Sequence, residues 1–83
     1  MFITKVQFNA LLNRVTAEAS PEHSGALYIQ LTNLNGQPLL NKKVNAAKGA
    51  NILSFEMPVP LSRGIYTLKI YCEDGVWMQK LVK

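Results

Sequence analysis

The feature that most constrains the fold is the alternation of apolar and polar residues along stretch 64–83, GIYTLKIYCEDGVWMQKLVK. Apolar side chains recur there at every second position: Tyr66, Leu68, Ile70 and Cys72. Because successive side chains of a strand point to opposite faces, this spacing predicts a strand with one apolar face. Asp74-Gly75 follows, and both residues tolerate the positive φ that a two-residue hairpin turn needs. Residues 76–83 are therefore expected to return beside the first strand, paired into a sheet.

Shorter segments of the same kind precede this hairpin. Strands are predicted over residues 2–8, 26–33, 38–44 and 50–57. Asn35-Gly36 predicts a hairpin turn, and Pro38, which lacks an amide donor, suits a strand start or an edge. Residues 20–25, 45–49 and 58–64 are predicted connections, the last framed by Pro58 and Pro60 and carrying Leu61. The inward side chains are expected to be Phe2, Val6, Phe8, Leu27, Ile29, Leu31, Leu40, Val44, Leu53 and Phe55.

Residues 11–19 fit two patterns. With period two, Leu11, Val15, Ala17 and Ala19 share a face. With helical spacing, Leu11, Leu12, Val15 and Ala19 form a stripe. The segment is short for a helix and its neighbours are strand-like, so a strand is the interpretation we adopt.

Seven short strands joined by Gly, Pro and Asn turns predict an all-β fold. The expected architecture is a seven-stranded antiparallel Ig-like β-sandwich forming one domain over residues 1–83, and a small barrel is the alternative. A chain of 83 residues buries only a little over ~60% of the surface that its unfolded form exposes, so its core should be thin.

The polar residues provide little for catalysis. The net charge of +4 comes from scattered lysines and arginines, whereas nucleic-acid sites cluster such charge. One cysteine, Cys72, excludes an intrachain disulfide and is expected in the core, while the single histidine, His23, is expected in an exposed loop. These residues indicate no metal site, cofactor or catalytic group, so an enzyme is not expected. Tyr66, Tyr71 and Trp77 are aromatic residues that could form a sugar- or base-stacking platform, but packing within the sheet is the preferred interpretation.

Four segments are similar to motifs of one protein family. Residues 35–37 resemble its turn between middle strands, and residues 49–55 resemble its G-x-N-x-[IL]-x-[LF] strand. Residues 61–70, LSRGIYTLKI, are similar to its L-x-x-G-[IV]-Y-x-[LV]-x-[IV] strand. Residues 75–83 are similar to its G-x(4)-K-[ILV]-[IV]-K terminus. The chain therefore resembles the type A C-terminal sorting domain of the type IX secretion system of Bacteroidetes, although Phe8-Asn9-Ala10 lacks both prolines of the family's opening Pro-Asn-Pro motif.

This resemblance implies that the chain is a non-enzymatic sorting signal at the C-terminus of a larger secreted protein. The expected partners are the outer-membrane translocon, its shuttle protein and a surface sortase-like peptidase that removes the domain. A secreted or cell-surface location, reached through the periplasm, is implied. The partner-binding residues that the resemblance suggests are Gly64, Tyr66, Gly75, Lys80 and Lys83.

Two other expectations bear on location and function. Residues 1–5 have no signal-peptide pattern and no segment has the apolar length of a membrane helix, so we expect either a cytoplasmic chain or a piece of a longer exported protein. The rival function is an accessory Ig-like or carbohydrate-binding module that uses Tyr71 and Trp77. Exposed sheet edges would also permit a weak homodimer.

Overall fold

A computed structural model describes residues 2–9, 11–57, 62–73 and 75–83, with only the backbone described for Phe2. This part of the chain contains strands and no helix: β1 (Phe2–Asn9), β2 (Arg14–Ser20), β3 (Gly25–Asn33), β4 (Pro38–Ala46), β5 (Asn51–Glu56), β6 (Ile65–Cys72) and β7 (Gly75–Val82). Within the described ranges, no helix has the length and hydrophobicity to cross a membrane.

The strands form two antiparallel sheets. The three-stranded sheet has the order β1-β2-β5, and the four-stranded sheet has the order β4-β3-β6-β7. Apolar side chains from both sheets join in one core, so each sheet hides one face from water. This confirms the all-β, seven-stranded sandwich predicted from the alternation.

The most deeply buried large side chains come mainly from the two central strands of the four-stranded sheet. Leu27, Ile29 and Leu31 of β3, with Leu68 and Ile70 of β6, are 0–1% exposed. From the other sheet, Val15, Ala17 and Ala19 of β2 and Leu53 and Phe55 of β5 are also buried. These are the inward residues that period-two alternation predicted for those strands.

The turn between β1 and β2 differs from its prediction. Leu11, predicted in a strand, lies in a turn and is 97% exposed. The side-chain carbonyl of Asn9 accepts hydrogen bonds from the backbone N–H groups of Leu11 and Leu12, both at 3.0 Å, and so stabilises this turn before β2 begins.

The inward face of β1 was predicted only in part. Val6 and Phe8 pack inward as expected, and Ile3, which is not among the predicted inward residues, also packs against the core and pairs with buried Ala19. The register shifts between Thr4 and Gln7, where Lys5 has a φ of 54°. Such a bulge adds one residue to the strand and reverses the inward parity beyond it. The side chain of Phe2 lies outside the described part.

The predicted hairpin turn is present and contains Asn35, but its central residues are Leu34 and Asn35, and Gly36 follows them. Gly36 has a φ of 80° and its N–H donates to the Asn33 carbonyl at 3.0 Å. The Asn33 side-chain carbonyl also accepts from the N–H groups of Asn35 and Gln37. Beyond this turn, β4 continues two residues further than predicted, because Ala46 is buried in the core and pairs with Gly25.

Candidate functional site

The last hairpin pairs β6 with β7 without a register shift, from Ile65 opposite Val82 to Cys72 opposite Gly75. The predicted Asp74-Gly75 turn is wrong for Gly75, which is the first residue of β7. Asp74, like residues 58–61 of the preceding connection, lies outside the described residues. Because β7 has a partner on one side only, it forms an edge of the four-stranded sheet.

Gly64 and Lys83 close the opposite end of the hairpin. The Gly64 N–H donates to the Lys83 carbonyl at 3.2 Å, and the Lys83 N–H donates to the Gly64 carbonyl at 3.0 Å. This pair of bonds continues the β6–β7 ladder by one step on each strand. The backbone of Lys83 is thus held in the sheet.

Tyr66 connects this end of the hairpin to the core. Its side chain is 5% exposed, and its hydroxyl donates to the Ser62 carbonyl at 2.6 Å. The phenol thereby fixes the approach of the chain to β6, while the ring packs inward opposite buried Leu81. The inward position expected for Tyr66 is confirmed, and this leaves little of the ring for a partner to contact.

The five candidate partner-binding residues are only partly brought together. Gly64, Tyr66 and Lys83 lie at one end of the hairpin, and Lys80, which is exposed, is opposite Thr67 near that end. Gly75 lies at the other end, about 25 Å away at the usual rise per residue of a strand. Four of the five therefore lie together at one end of the hairpin, with Tyr66 buried beneath the surface. We call this end the terminal corner: Gly64, Tyr66, Lys80 and Lys83.

The exposed edge leading to the terminal corner is unusually apolar. Val76, Met78 and Val82 of β7 are 62–71% exposed and share the outer face with Lys80. In contrast, the other edge of this sheet, β4, begins with Pro38 and carries Lys42 and Lys43. Proline and lysine discourage pairing at a sheet edge, and β4 has one proline and two lysines, whereas β7 has only Lys80 of these types beside three exposed apolar side chains. Of these two edges, β7 is therefore better suited to contact another protein.

A second cluster lies on the outer face of the four-stranded sheet. The rings of Tyr28 and Tyr71, which are cross-strand neighbours on β3 and β6, stack with centroids 5.2 Å apart and planes 18° from parallel. The Lys43 ammonium lies 6.0 Å from the centroid of Tyr28, and that of Lys69 lies 4.8 Å from the centroid of Tyr71. Both distances fall within the range of a cation–π interaction.

The alternative stacking platform of Tyr66, Tyr71 and Trp77 is not formed. Trp77 is half-buried, packs against the core and is opposite Ile70, so it belongs to the inner face together with Tyr66. Tyr71 lies on the outer face, where its aromatic partner is Tyr28. The outward orientation of Tyr28 and Lys43 could be predicted from alternation, but their meeting with Tyr71 depends on a β3–β6 pairing that the sequence does not reveal.

The remaining candidates for chemistry are dispersed. His23 is exposed in the connection between β2 and β3, as predicted, and Cys72 is half-buried and packs against the core. Among the described residues, no group of three or more His, Cys, Asp or Glu side chains is placed to hold a metal ion.

The chain matches a known protein family. The sequence model of the family described as "secretion system C-terminal sorting domain" matches residues 6–83. The match therefore includes β2 to β7, most of β1, and the terminal corner. No curated protein matches the chain.

Proposed function

The chain belongs to the family of secretion system C-terminal sorting domains, and we propose that its terminal corner is the surface by which the type IX machinery recognises it. Membership indicates that the chain is a C-terminal sorting signal for type IX secretion. The family is not catalytic, and membership implies a source in the Bacteroidetes. It also implies interaction with the secretion system and export to the cell surface or the medium.

The observation that carries the proposal is the mutual hydrogen bonding of Gly64 and Lys83 beside an exposed apolar edge strand. A sorting signal is recognised best as a folded surface of fixed shape, because ordering a mobile tail on binding reduces the binding free energy. At the terminal corner the backbone is already ordered, and Lys80 is exposed next to Val82. These features suit a partner that has an apolar surface and an acidic group.

In the proposed sequence of events, residues 1–83 act as one domain at the C-terminus of a larger cargo protein. The outer-membrane translocon and its shuttle protein bind the terminal corner. A surface sortase-like peptidase then cleaves the chain upstream of the domain and joins the cargo to anionic lipopolysaccharide. Of the candidate residues, Lys80 and Lys83 are assigned direct contacts, Gly64 and Tyr66 shape the corner, and Gly75 begins β7 at the far end of the hairpin.

The test is export of a periplasmic reporter fused to residues 1–83 in a cell with a working type IX system. We expect the reporter outside the cell, and we expect it to stay in the periplasm when the translocon is deleted. A fusion that is folded, as judged by protease resistance, yet is retained in the periplasm of the competent cell would overturn the proposal.

Charge variants then locate the surface. Lys80→Gln with Lys83→Gln should lower export about 2–30-fold, as expected when two surface charge contacts of ~0.2–1 kcal/mol each are lost. Lys5→Gln with Lys48→Gln removes the same charge from other parts of the surface and should leave export near the wild-type level. Equal losses in the two double variants would mean that net charge, rather than the terminal corner, is recognised.

A further inference from the structure

We propose that the outer face of the four-stranded sheet binds an anionic polysaccharide through a patch that we call the tyrosine–lysine face. The patch consists of six residues from three adjacent strands: Tyr28, Gln30, Asn41, Lys43, Lys69 and Tyr71. This inference goes beyond the export function and does not depend on it.

The registers of the sheet arrange these residues in two rows. One row runs from Lys43 through Tyr28 to Tyr71, and the next runs from Asn41 through Gln30 to Lys69. Neighbouring strands are ~4.8 Å apart and residues on one face recur every ~6.8 Å, so the patch measures about 10 Å by 7 Å. A surface of this size suits one or two sugar rings of a longer polymer.

The charges of the patch favour an anion. Lys43 and Lys69 contribute two ammonium groups, while the acidic residues of the described strands, Glu18 and Glu56, lie on the other sheet. Glu73, at the connection after β6, is the acidic side chain closest in sequence to the patch among the described residues. The two cations are therefore not neutralised within the sheet and attract carboxylate, sulfate or phosphate groups.

The rings hold these cations in place. A lysine side chain in water has many conformations, and binding must restrict them. Here each ammonium already lies above a tyrosine ring, and the two rings support one another by stacking. The two lysine side chains therefore lose less conformational entropy when a ligand binds.

The neutral groups of the patch favour a sugar as the carrier of the anion. Gln30 and Asn41 each supply an amide, which donates and accepts, and each tyrosine supplies a hydroxyl that does both. Sugar hydroxyls also donate and accept, so they are complementary to such a surface. A uronic acid combines these hydroxyls with a carboxylate on the same ring.

The same geometry disfavours single-stranded nucleic acid. Base recognition on a sheet uses aromatic rings with a free face on which bases stack. In the tyrosine–lysine face, one face of each ring is directed to the other ring, and a lysine lies over each ring. Stacking surface is therefore limited, whereas charge and hydrogen-bonding groups are available.

The experiment is a titration of the 83-residue chain with an oligogalacturonate, with the fully methyl-esterified oligomer as the uncharged control. We expect binding to the charged oligomer at low salt, weaker binding to the ester, and loss of affinity as salt shortens the screening length from ~10 Å at 0.1 M to ~3 Å at 1 M. Chemical-shift changes of backbone amides should concentrate on β3, β4 and β6. Absence of binding by the wild-type chain at low salt would overturn the proposal.

Matched variants separate the patch from general charge. Lys43→Gln with Lys69→Gln should weaken binding about tenfold, and Lys5→Gln with Lys48→Gln should change it little although the net charge is the same. Glu73→Gln should strengthen binding slightly, because it removes the nearby acid. Equal losses in both double variants, or equally tight binding of duplex DNA at the same salt, would contradict a polysaccharide site. Because Lys80 and Lys83 are unchanged in these variants, failure here leaves the export proposal untouched.

Discussion

The two sheets of the sandwich contribute different things to the interior. The central strands of the four-stranded sheet bring large side chains, such as Leu31 and Leu68, which are fully buried. The central strand of the three-stranded sheet brings Val15 with two alanines, Ala17 and Ala19. Small residues on one side leave room for large ones on the other, as close packing requires. The four-stranded sheet is therefore the one on which we expect stability to depend more strongly.

The outer faces differ as well. On the three-stranded sheet, the Lys5 ammonium lies 3.4 Å from a Glu18 carboxylate oxygen, and Arg14 forms an ion pair with Glu56. On the four-stranded sheet, Lys43 and Lys69 lie over aromatic rings instead. One face neutralises its own charge, and the other retains positive charge that a partner can use.

The largest expected effect is a cavity in the four-stranded sheet. Leu68→Ala should lower the free energy of unfolding by about 2–5 kcal/mol, because it removes a fully buried side chain from β6. Val15→Ala is the matched change in β2 and should cost less, since it removes fewer atoms. Urea denaturation followed by Trp77 fluorescence measures both, and a larger loss for Val15→Ala would reverse the ranking of the two sheets.

Replacing a buried alanine of β2 by a larger residue tests whether the three-stranded sheet is closely packed. Ala17→Leu should destabilise the chain by about 1–3 kcal/mol, because Ala17 is 2% exposed and a larger side chain must displace its neighbours. Thr16→Leu, on the outer face of the same strand, should have a much smaller effect. If thermal unfolding shows Ala17→Leu to be stabilising, the three-stranded sheet has unfilled space and the packing comparison fails.

The turn that joins β3 to β4 should contribute less. Gly36→Ala is expected to cost about 1 kcal/mol, because a φ of 80° brings Cβ close to the following carbonyl. Gly25→Ala is the control, since Gly25 has no left-handed φ and an added Cβ would meet nothing within 4 Å. Equal unfolding midpoints for the two variants would show that the turn conformation does not limit the stability of this sheet.

The smallest expected effect concerns the paired charges. Arg14→Gln removes the bonds to Glu56 and Ser54 and should cost no more than about 1 kcal/mol, because surface ion pairs contribute little. Lys69→Gln should change stability even less. The difference between the two variants should be largest at low salt, where only Arg14→Gln should lower the melting temperature measurably.

The sequence predicts well whatever depends on alternation alone. Leu27, Ile29 and Leu31 and the stripe from Tyr66 to Ile70 are buried as period two required. The β1 bulge was not predictable, because Lys5 carries no signal for a φ of 54°. Leu11 was misassigned because the bonds that Asn9 makes to the turn are not visible in an apolar pattern.

The candidate surfaces were predictable in part. The residues of the terminal corner could be predicted because the sequence retains the spacing of a family motif. They lie near each other because β6 and β7 are consecutive strands of one hairpin. The tyrosine–lysine face brings together strands that are distant in sequence. Its assembly depends on which strands are neighbours and in what register, which local patterns do not encode.

The pairing of β3 with β6 also has a kinetic consequence. It joins the β3–β4 and β6–β7 hairpins, and closing this ladder brings together Asn33 and Tyr66, with β4 and β5 between them in the chain. Isolated hairpins form in ~1–10 μs, whereas sheets rich in non-local pairs fold in ~1 ms to seconds. We therefore expect the docking of the two ribbons to set the folding time, and Trp77, on the inner side of β7, to acquire its final fluorescence only at that late step in stopped-flow refolding.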